Sequence, residues 1–205
     1  MPEPRFRRRK EDRPQEITEA ALAAFAENGY AATRVDDVAK RAGVSKGLLY
    51  LYFKTKEELF KAVIHSVVVP RIEALAATVD NSELSAEEFL RGPFLDFVKT
   101  LPGSPISTLV RLMIAEGPKH PDLLKYYWEN VVSRGLAAIT VLLERGVQSG
   151  EFRRSVINDL PHLFVMPVMF SVIFKLLFEE HCPDTDTLIE TQVDMLIVHM
   201  KGDAS

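Results

Sequence analysis

The sequence has little cysteine and no long hydrophobic run, and both features narrow the class of protein. Its 205 residues include one cysteine, Cys182, which excludes a disulfide scaffold and a multi-cysteine metal cluster. The longest strongly apolar stretch, Leu163–Phe174, ends at Lys175 after twelve residues, whereas about twenty are needed to cross a bilayer. The charged start MPEPRFRRRKEDR has no apolar run after it, unlike a secretory signal. We therefore expect a soluble, cytoplasmic protein that does not cross a membrane.

Catalytic and metal-binding motifs are also lacking. The sequence has no H-E-x-x-H motif, no glutamate three residues before a histidine, and no G-x-S-x-G nucleophile elbow. We therefore expect no catalytic residue, no metal and no cofactor, and predict that the chain is not an enzyme. The five histidines are scattered without metal-ligand spacing: His65, His120, His162, His181 and His199.

Charge is distributed unevenly along the chain. The formal net charge of −4 conceals a basic first part, because residues 1–61 carry 13 basic and 10 acidic side chains. The remaining residues carry 12 basic and 19 acidic side chains, a net charge of −7. A basic head on an acidic body is typical of a protein whose one end meets a polyanion.

The apolar residues recur at spacings of three and four, without sustained alternation. This period predicts an all-α fold with about nine helices. In the first part, Gly29 ends a helix over 14–28, and Thr55 with Glu58 opens a longer helix toward residue 79. Further helices are predicted over 85–101, 106–117, 121–148, 158–180 and 185–200.

The segment 34–53, RVDDVAKRAGVSKGLLYLYF, has the spacing of a helix-turn-helix motif. Two short helices flank a tight turn at Gly43, with Thr33 and Ser45 as their predicted N-caps. If Leu49 and Phe53 point into the core, the 100° step of an α-helix turns the intervening residues outward. The second helix therefore has the exposed face that a recognition helix needs.

The residues on that outward face suit contact with DNA. Gly47 permits a close approach, and Lys46 can reach a guanine edge or a phosphate. Tyr50 offers a hydroxyl to a phosphate, and Leu48 can touch a thymine methyl group. Core aromatics and an ordinary solvated lysine are the alternative interpretations.

Two segments, Phe25–Val35 (FAENGYAATRV) and Val38–Leu59 (VAKRAGVSKGLLYLYFKTKEEL), resemble the TetR family of transcriptional regulators. The resemblance implies a DNA-binding domain over 11–71, with its helix-turn-helix at 34–53, and a helical ligand-binding and dimerisation domain over 72–205. It implies binding of a homodimer to a palindromic operator in double-stranded DNA. The implied DNA-contacting residues are Thr33, Arg34, Ser45, Lys46, Gly47, Leu48, Tyr50, Leu51, Tyr52 and Lys56.

Three of these positions, Thr33, Tyr50 and Lys56, match those that usually hold phosphates in the family. The pair Leu51-Tyr52 stands where many members have an aromatic residue followed by histidine, which leaves the half-site preference open. The basic arm Arg5–Lys10 either follows a DNA groove or is a solubilising tail.

The segment that follows residue 163 leaves hardly any polar helical face, so it must be buried on most sides. A partner chain would cover the side that its own chain leaves open, and the last helix would complete the seam. The alternative is the central helix of a monomeric core. The predicted dimer interface comprises Phe170, Ile173, Phe174, Leu177, Leu188, Val193, Leu196 and Ile197.

Aromatic and methionine side chains with one carboxylate suggest an apolar ligand pocket in the body. The alternative is plain core for the apolar members, and a solvated helix end for Glu116. The candidates are Phe94, Phe97, Met113, Glu116, Tyr127, Trp128 and Met166.

The sequence thus predicts a homodimeric repressor that a small, apolar effector releases from its operator. The alternative is a dimeric DNA-binding protein that is regulated by a protein partner and has no small-molecule effector.

Overall fold

The computed structural model describes residues 13–202, so the predicted basic arm Arg5–Lys10 lies outside the described residues. Within that range every regular element is helical and no strand occurs, which confirms the all-α prediction. When helices that continue through a π-helical turn are counted as one, the described residues form ten helices, close to the nine predicted.

The chain divides into two compact units. The described part of the first comprises residues 13–70 and 112–127. Its buried core is built around Phe25, Leu49 and Phe60, with the rings of Phe25 and Phe60 packed edge to face at 5.1 Å. Its elements are α1 (Arg13–Ala32), α2 (Val35–Arg41), α3 (Lys46–Tyr52), the first part of α4 (Lys56–Asn81), the last part of α7 (Pro105–Glu116), and α8 (Pro121–Tyr127).

The described part of the second unit comprises residues 71–111 and 128–202. Its core includes Phe89, Phe94 and Phe164, all nearly inaccessible to solvent. Besides the remainder of α4 and α7, its α-helices are α5 (Ala86–Phe89), α6 (Leu95–Thr100), α9 (Ser133–Gln148), α10 (Val156–Asp159), α11 (Met166–Leu177) and α12 (Thr185–Lys201). The predicted domain boundary at residues 71 and 72 falls inside α4 and stays a prediction.

Several predicted helices are interrupted. The helix predicted over 158–180 is broken between Asp159 and Met166, where a 3₁₀ turn begins at Pro161 and Pro167 opens α11. Proline lacks the N–H that an uninterrupted helix requires, so the prediction of one helix is wrong. The segments 85–101 and 121–148 likewise contain π-helical turns, at Leu90–Phe94 and Trp128–Val132.

Most of the predicted helix starts are confirmed. The Ser45 side chain accepts a hydrogen bond from Leu48 N, and the Thr55 side chain accepts one from Glu58 N. The helix predicted to begin at residue 85 starts at Ala86, where Ser85 and Glu88 form a capping box. The predicted cap at Thr33 is wrong, because α2 is preceded by Arg34 without a side-chain cap. Gly29 has φ +75° and kinks α1, although helical residues continue to Ala32.

One described helix, α4, is long and apolar enough to cross a membrane by length and composition alone. Buried core helices of other proteins pass the same test. Four of its side chains, Leu59, Phe60, Val63 and Ile64, are fully buried in this chain, and 33% of its most apolar window is buried.

Candidate functional site

The turn between α2 and α3 is held by backbone bonds of its own residues. Ala42 N donates to Val38 O at 2.9 Å, and Val44 N donates to Ala39 O at 3.0 Å. Gly43 takes φ +65°, a conformation that residues with a Cβ rarely adopt. These bonds and the Ser45 cap fix where α3 begins.

One side chain of the seven-residue helix α3, that of Leu49, is buried in the core. Leu49 is fully buried, whereas Leu51 is 66% exposed. Phe53, predicted to point inward, is half-buried. Of the predicted DNA-contacting residues, the exposed ones are Arg34, Ser45, Lys46, Gly47 and Leu51, the half-buried ones are Leu48, Tyr50, Tyr52 and Lys56, and Thr33 is buried.

Lys46, at the start of α3, is paired with Asp36 on α2. Its Nζ lies 2.8 and 2.9 Å from the two Asp36 carboxylate oxygens, and both side chains are well exposed. The hydrogen bond to Asp36 and the attraction of its charge raise the pKa of Lys46. Asp36 was not predicted from the sequence, because a pair ten residues apart across a turn leaves no periodic signal.

The Thr33 hydroxyl forms hydrogen bonds within the first unit. Its Oγ1 lies 2.7 Å from Gly29 O and 3.1 Å from Ala24 O, and the residue is 3% exposed. The hydroxyl therefore donates to the carbonyls at the kink of α1. A phosphate contact of this side chain stays a prediction.

Lys56 also binds its own chain. Its Nζ donates to Tyr30 O and Ala31 O at 2.9 Å and to Thr33 O at 3.2 Å, and lies 4.6 Å from the centre of the Tyr30 ring. Burial lowers the pKa of Lys56, and the nearby Glu116 carboxylate opposes that shift. All three ammonium protons are thus occupied by carbonyls at the end of α1, where helix carbonyls lack partners.

Glu116, a candidate pocket residue, lies in the first unit beside the same end of α1. A Cβ on Gly29 would stand 3.6 Å from its Oε1. Its Oε2 is buried without a hydrogen-bond partner, although Lys119 Nζ lies 3.8 Å away. The carboxylate is therefore only slightly exposed, and its charge is opposed by two lysines, Lys56 and Lys119.

The other candidate pocket residues are dispersed. In the second unit, Phe94 packs edge to face on Phe164 at 5.9 Å, while Trp128 and Met166 are 52% and 55% exposed. In the first unit, burial raises the pKa of Tyr127 to about 12. The predicted pocket stays a prediction. Of its remaining members, Met113 is buried and Phe97 is half-buried.

The candidate dimer residues fall into two groups. On α11, Phe170, Ile173 and Leu177 are exposed, and Phe174 is half-buried between Phe170 and Phe178. On α12, Leu188 is half-buried, and three candidates pack into the core of their own chain: Val193, Leu196 and Ile197. The exposed apolar residues of α12 are instead Met195 and Val198.

An open groove of about 580 Å³ in the second unit was not anticipated from the sequence. Its walls carry three basic side chains, Lys99, Arg111 and Lys175, and hydroxyl groups from α7, α11 and α12. The one sequence feature related to this groove is Lys175, which interrupts the apolar run 163–174. Across residues 13–202, no three His, Cys, Asp or Glu side chains are placed to hold a metal ion.

Family models match both parts of the chain. Residues 17–63 match the model described as bacterial regulatory proteins, tetR family, and residues 88–196 match the tetracyclin repressor-like, C-terminal domain. The HTH-type transcriptional repressor AcnR of Corynebacterium efficiens is 30% identical over 162 residues, 79% of this chain and 80% of that protein.

A curated relative and a solved structure, both from Bacillus subtilis, are similar over nearly the whole length. The fatty acid metabolism regulator protein of Bacillus subtilis is 23% identical over 94% of this chain and 100% of that protein. The structure of FadR from Bacillus subtilis in complex with stearoyl-CoA has a TM-score of 0.66 and 24% identity, and covers 89% of this chain and 97% of that one. The latter likeness shows the fold.

The C-terminal model alone spans more than half of the chain, and the AcnR relative is matched over more than two thirds of its length. Members of the matched family are DNA-binding regulators that act as dimers, and they are not enzymes. The chain belongs to the TetR family of transcriptional regulators.

Proposed function

We propose that this chain is a dimeric repressor that binds a palindromic operator and leaves it when a small-molecule effector binds. The observation that carries the proposal is α3, a short capped helix anchored by Leu49 that exposes Lys46, Gly47 and Leu51. A helix presented in this way can enter the major groove, where base edges are read.

The exposed apolar side of α11 supports the dimer. Phe170, Ile173 and Leu177 lie on one side of the helix, and each is at least 40% exposed in the single chain. A contiguous apolar surface of this kind is typical of a protein interface. A two-fold dimer would present two α3 helices to successive turns of the major groove, roughly 34–36 Å apart.

The effector class is proposed from these Bacillus subtilis matches. Stearoyl-CoA is bound in the FadR structure, so a molecule with a long acyl chain is the first effector to test here. For the effector to release DNA, it must bind better to the conformation that fits the operator poorly.

The test is selection of bound duplexes from a random pool at two salt concentrations, followed by sequencing. We expect an enriched palindrome with half-sites one helical turn apart, and affinity that falls steeply with salt because phosphate contacts release counterions. A folded, dimeric protein that enriches no sequence would contradict operator binding.

The selected operator then serves to test the effector. We expect stearoyl-CoA to lower the affinity for the operator, as measured by fluorescence anisotropy, whereas coenzyme A without the acyl chain should not. If neither compound changes the affinity, the acyl effector is wrong, and regulation by a protein partner becomes the better proposal.

A further inference from the structure

The groove in the second unit has walls from several helices. Helix α7 contributes Ser107, Thr108 and Arg111, and the two hydroxyl residues share a face with Arg111 because they precede it by four and three residues. Helix α11 contributes a hydroxyl group, Ser171, followed one turn later by Lys175. Each of these two walls therefore carries a cation one turn after a hydroxyl residue, although the buried Ser171 hydroxyl already donates to Pro167 O.

The two cations differ from the other basic residues around them. Within residues 13–202, neither Arg111 nor Lys175 has a hydrogen-bond or ion-pair partner, whereas Lys99 in the same groove is paired with Glu190. Arg71 is the other unpaired basic residue of the second unit and does not line the groove. The basic residues of this unit that have partners besides Lys99 are Arg91, Arg134, Arg145, Arg153, Arg154 and Lys201.

The groove also contains two carboxylates, and one of them, Glu179, comes four residues after Lys175. Glu179 follows α11, and Asp186 lies in the first turn of α12, where its charge acts on Lys99. Lys99 is already paired with Glu190, so the lining holds two further cations and two carboxylates. Arg111 and Lys175 are these two cations, and neither forms an ion pair with a carboxylate of the described residues.

Apolar atoms complete the lining. Val172 and Leu176 on α11 and Pro102 before α7 border the same space. The 100° step of the helix places Lys175 on the side of α11 opposite the exposed Ile173 and Leu177, whereas Val172 and Leu176 lie between the two sides. A dimer formed through the exposed side would therefore leave the Lys175 side of the groove available.

We infer that this groove binds the oxyanion of a small amphipathic ligand, with Arg111 and Lys175 as the residues that hold a carboxylate or phosphate. Guanidinium and ammonium groups are the usual partners of both oxyanions. The apolar lining takes the adjoining carbon chain. This inference names the ligand class of the proposed effector. The effect of that ligand on operator binding rests on the proposed function.

The experiment measures binding by calorimetry at low ionic strength, with three probes of equal chain length: octanoate, octyl phosphate and 1-octanol. The variants are Arg111→Gln, Lys175→Gln and the double variant, and Arg71→Gln is the matched control. Circular dichroism confirms that each variant is folded.

We expect both anions to bind, and 1-octanol to bind at least about tenfold more weakly. Each groove substitution should weaken anion binding by about tenfold, as expected when a hydrogen bond to a charged group is lost. The loss should shrink as salt screens the open groove, and Arg71→Gln should bind like the parent chain. The anion that loses more affinity in the double variant identifies whether a carboxylate or a phosphate is preferred.

The inference is overturned if neither anion binds at millimolar concentration, if 1-octanol binds equally well, or if the groove variants bind like Arg71→Gln. Operator affinity is measured separately. Anion binding that depends on Arg111 and Lys175 but leaves operator affinity unchanged supports the groove and contradicts the proposed effector role. Release of the operator by stearoyl-CoA, equally in the double variant, supports the effector role but places the effector outside this groove, and so overturns the groove as the effector site.

Discussion

Two exposed surfaces of this chain, those of α3 and α11, are maintained in different ways. The α3 surface presents Lys46 and Leu51, and local bonds of its own unit hold it in place. The α11 surface presents Phe170, Ile173 and Leu177, which no side chain of its own chain covers fully. The first is complete in one chain, whereas in the proposed dimer a partner chain covers the second. In that proposal, operator binding depends both on contacts within the first unit and on the second chain.

The largest change in oligomeric state and operator affinity is expected from a charge introduced on α11. Ile173→Glu places a carboxylate in the proposed apolar interface, where an unpaired charge is costly. We expect a monomer with an intact α3 and an operator affinity about 10²–10⁴-fold lower, because the two half-sites are no longer linked. Analytical ultracentrifugation and fluorescence anisotropy measure the two effects.

The matched control for this charge is Val141→Glu on α9. Val141 is also exposed and apolar but lies outside the predicted interface. The Val141→Glu substitution should leave the chain dimeric and the operator affinity unchanged. A dimeric Ile173→Glu protein would remove α11 as the partner surface.

The next largest effect is expected on α3 itself. Tyr50→Ala should weaken operator binding by about 1–3 kcal/mol per half-site, the scale of a hydrogen bond to a charged group, without changing the oligomeric state. Tyr50→Phe separates the hydroxyl from the ring. Tyr126→Phe on α8 is the control, and anisotropy titrations compare all three with the parent chain. Unchanged affinity in Tyr50→Ala would contradict its predicted phosphate contact.

A third prediction concerns the support of the α3 unit. Lys56→Met leaves three carbonyls at the end of α1 without their ammonium donor. Because water replaces part of this interaction, we expect the free energy of unfolding to fall by about 1–2 kcal/mol, with the dimer intact. Urea unfolding measures the change, and Lys40→Met, which alters an exposed lysine of α2, should be nearly neutral. Equal free energies of unfolding for the two variants would mean that the Lys56 hydrogen bonds do not stabilise the first unit.

The features predicted correctly from the sequence are those that neighbouring residues determine. The Ser45 cap and the burial of Leu49 depend on spacings of three or four residues, so one segment suffices to predict them. The pairing of Lys46 with Asp36 and the anchoring of Lys56 on α1 depend on how helices meet in space. The groove is the extreme case, because Arg111 and Lys175 come from distant helices and neither belongs to a motif.

The smallest expected effect tests the interior of the α3 unit by pH. Burial raises the pKa of Tyr127 to about 12 from an ordinary value of 10.0, so the folded chain favours the neutral phenol. That stabilisation is complete below pH 10 and is lost as the pH rises toward 12. We expect about 1 kcal/mol of unfolding free energy to disappear between pH 9 and pH 11. Tyr127→Phe should remove this part of the alkaline loss in urea unfolding, while Tyr126→Phe should retain it. If both variants lose stability as the parent chain does, ionisation of Tyr127 does not affect the free energy of unfolding. The α3 unit is then stabilised by Lys56 and the local caps rather than by the neutral Tyr127 phenol.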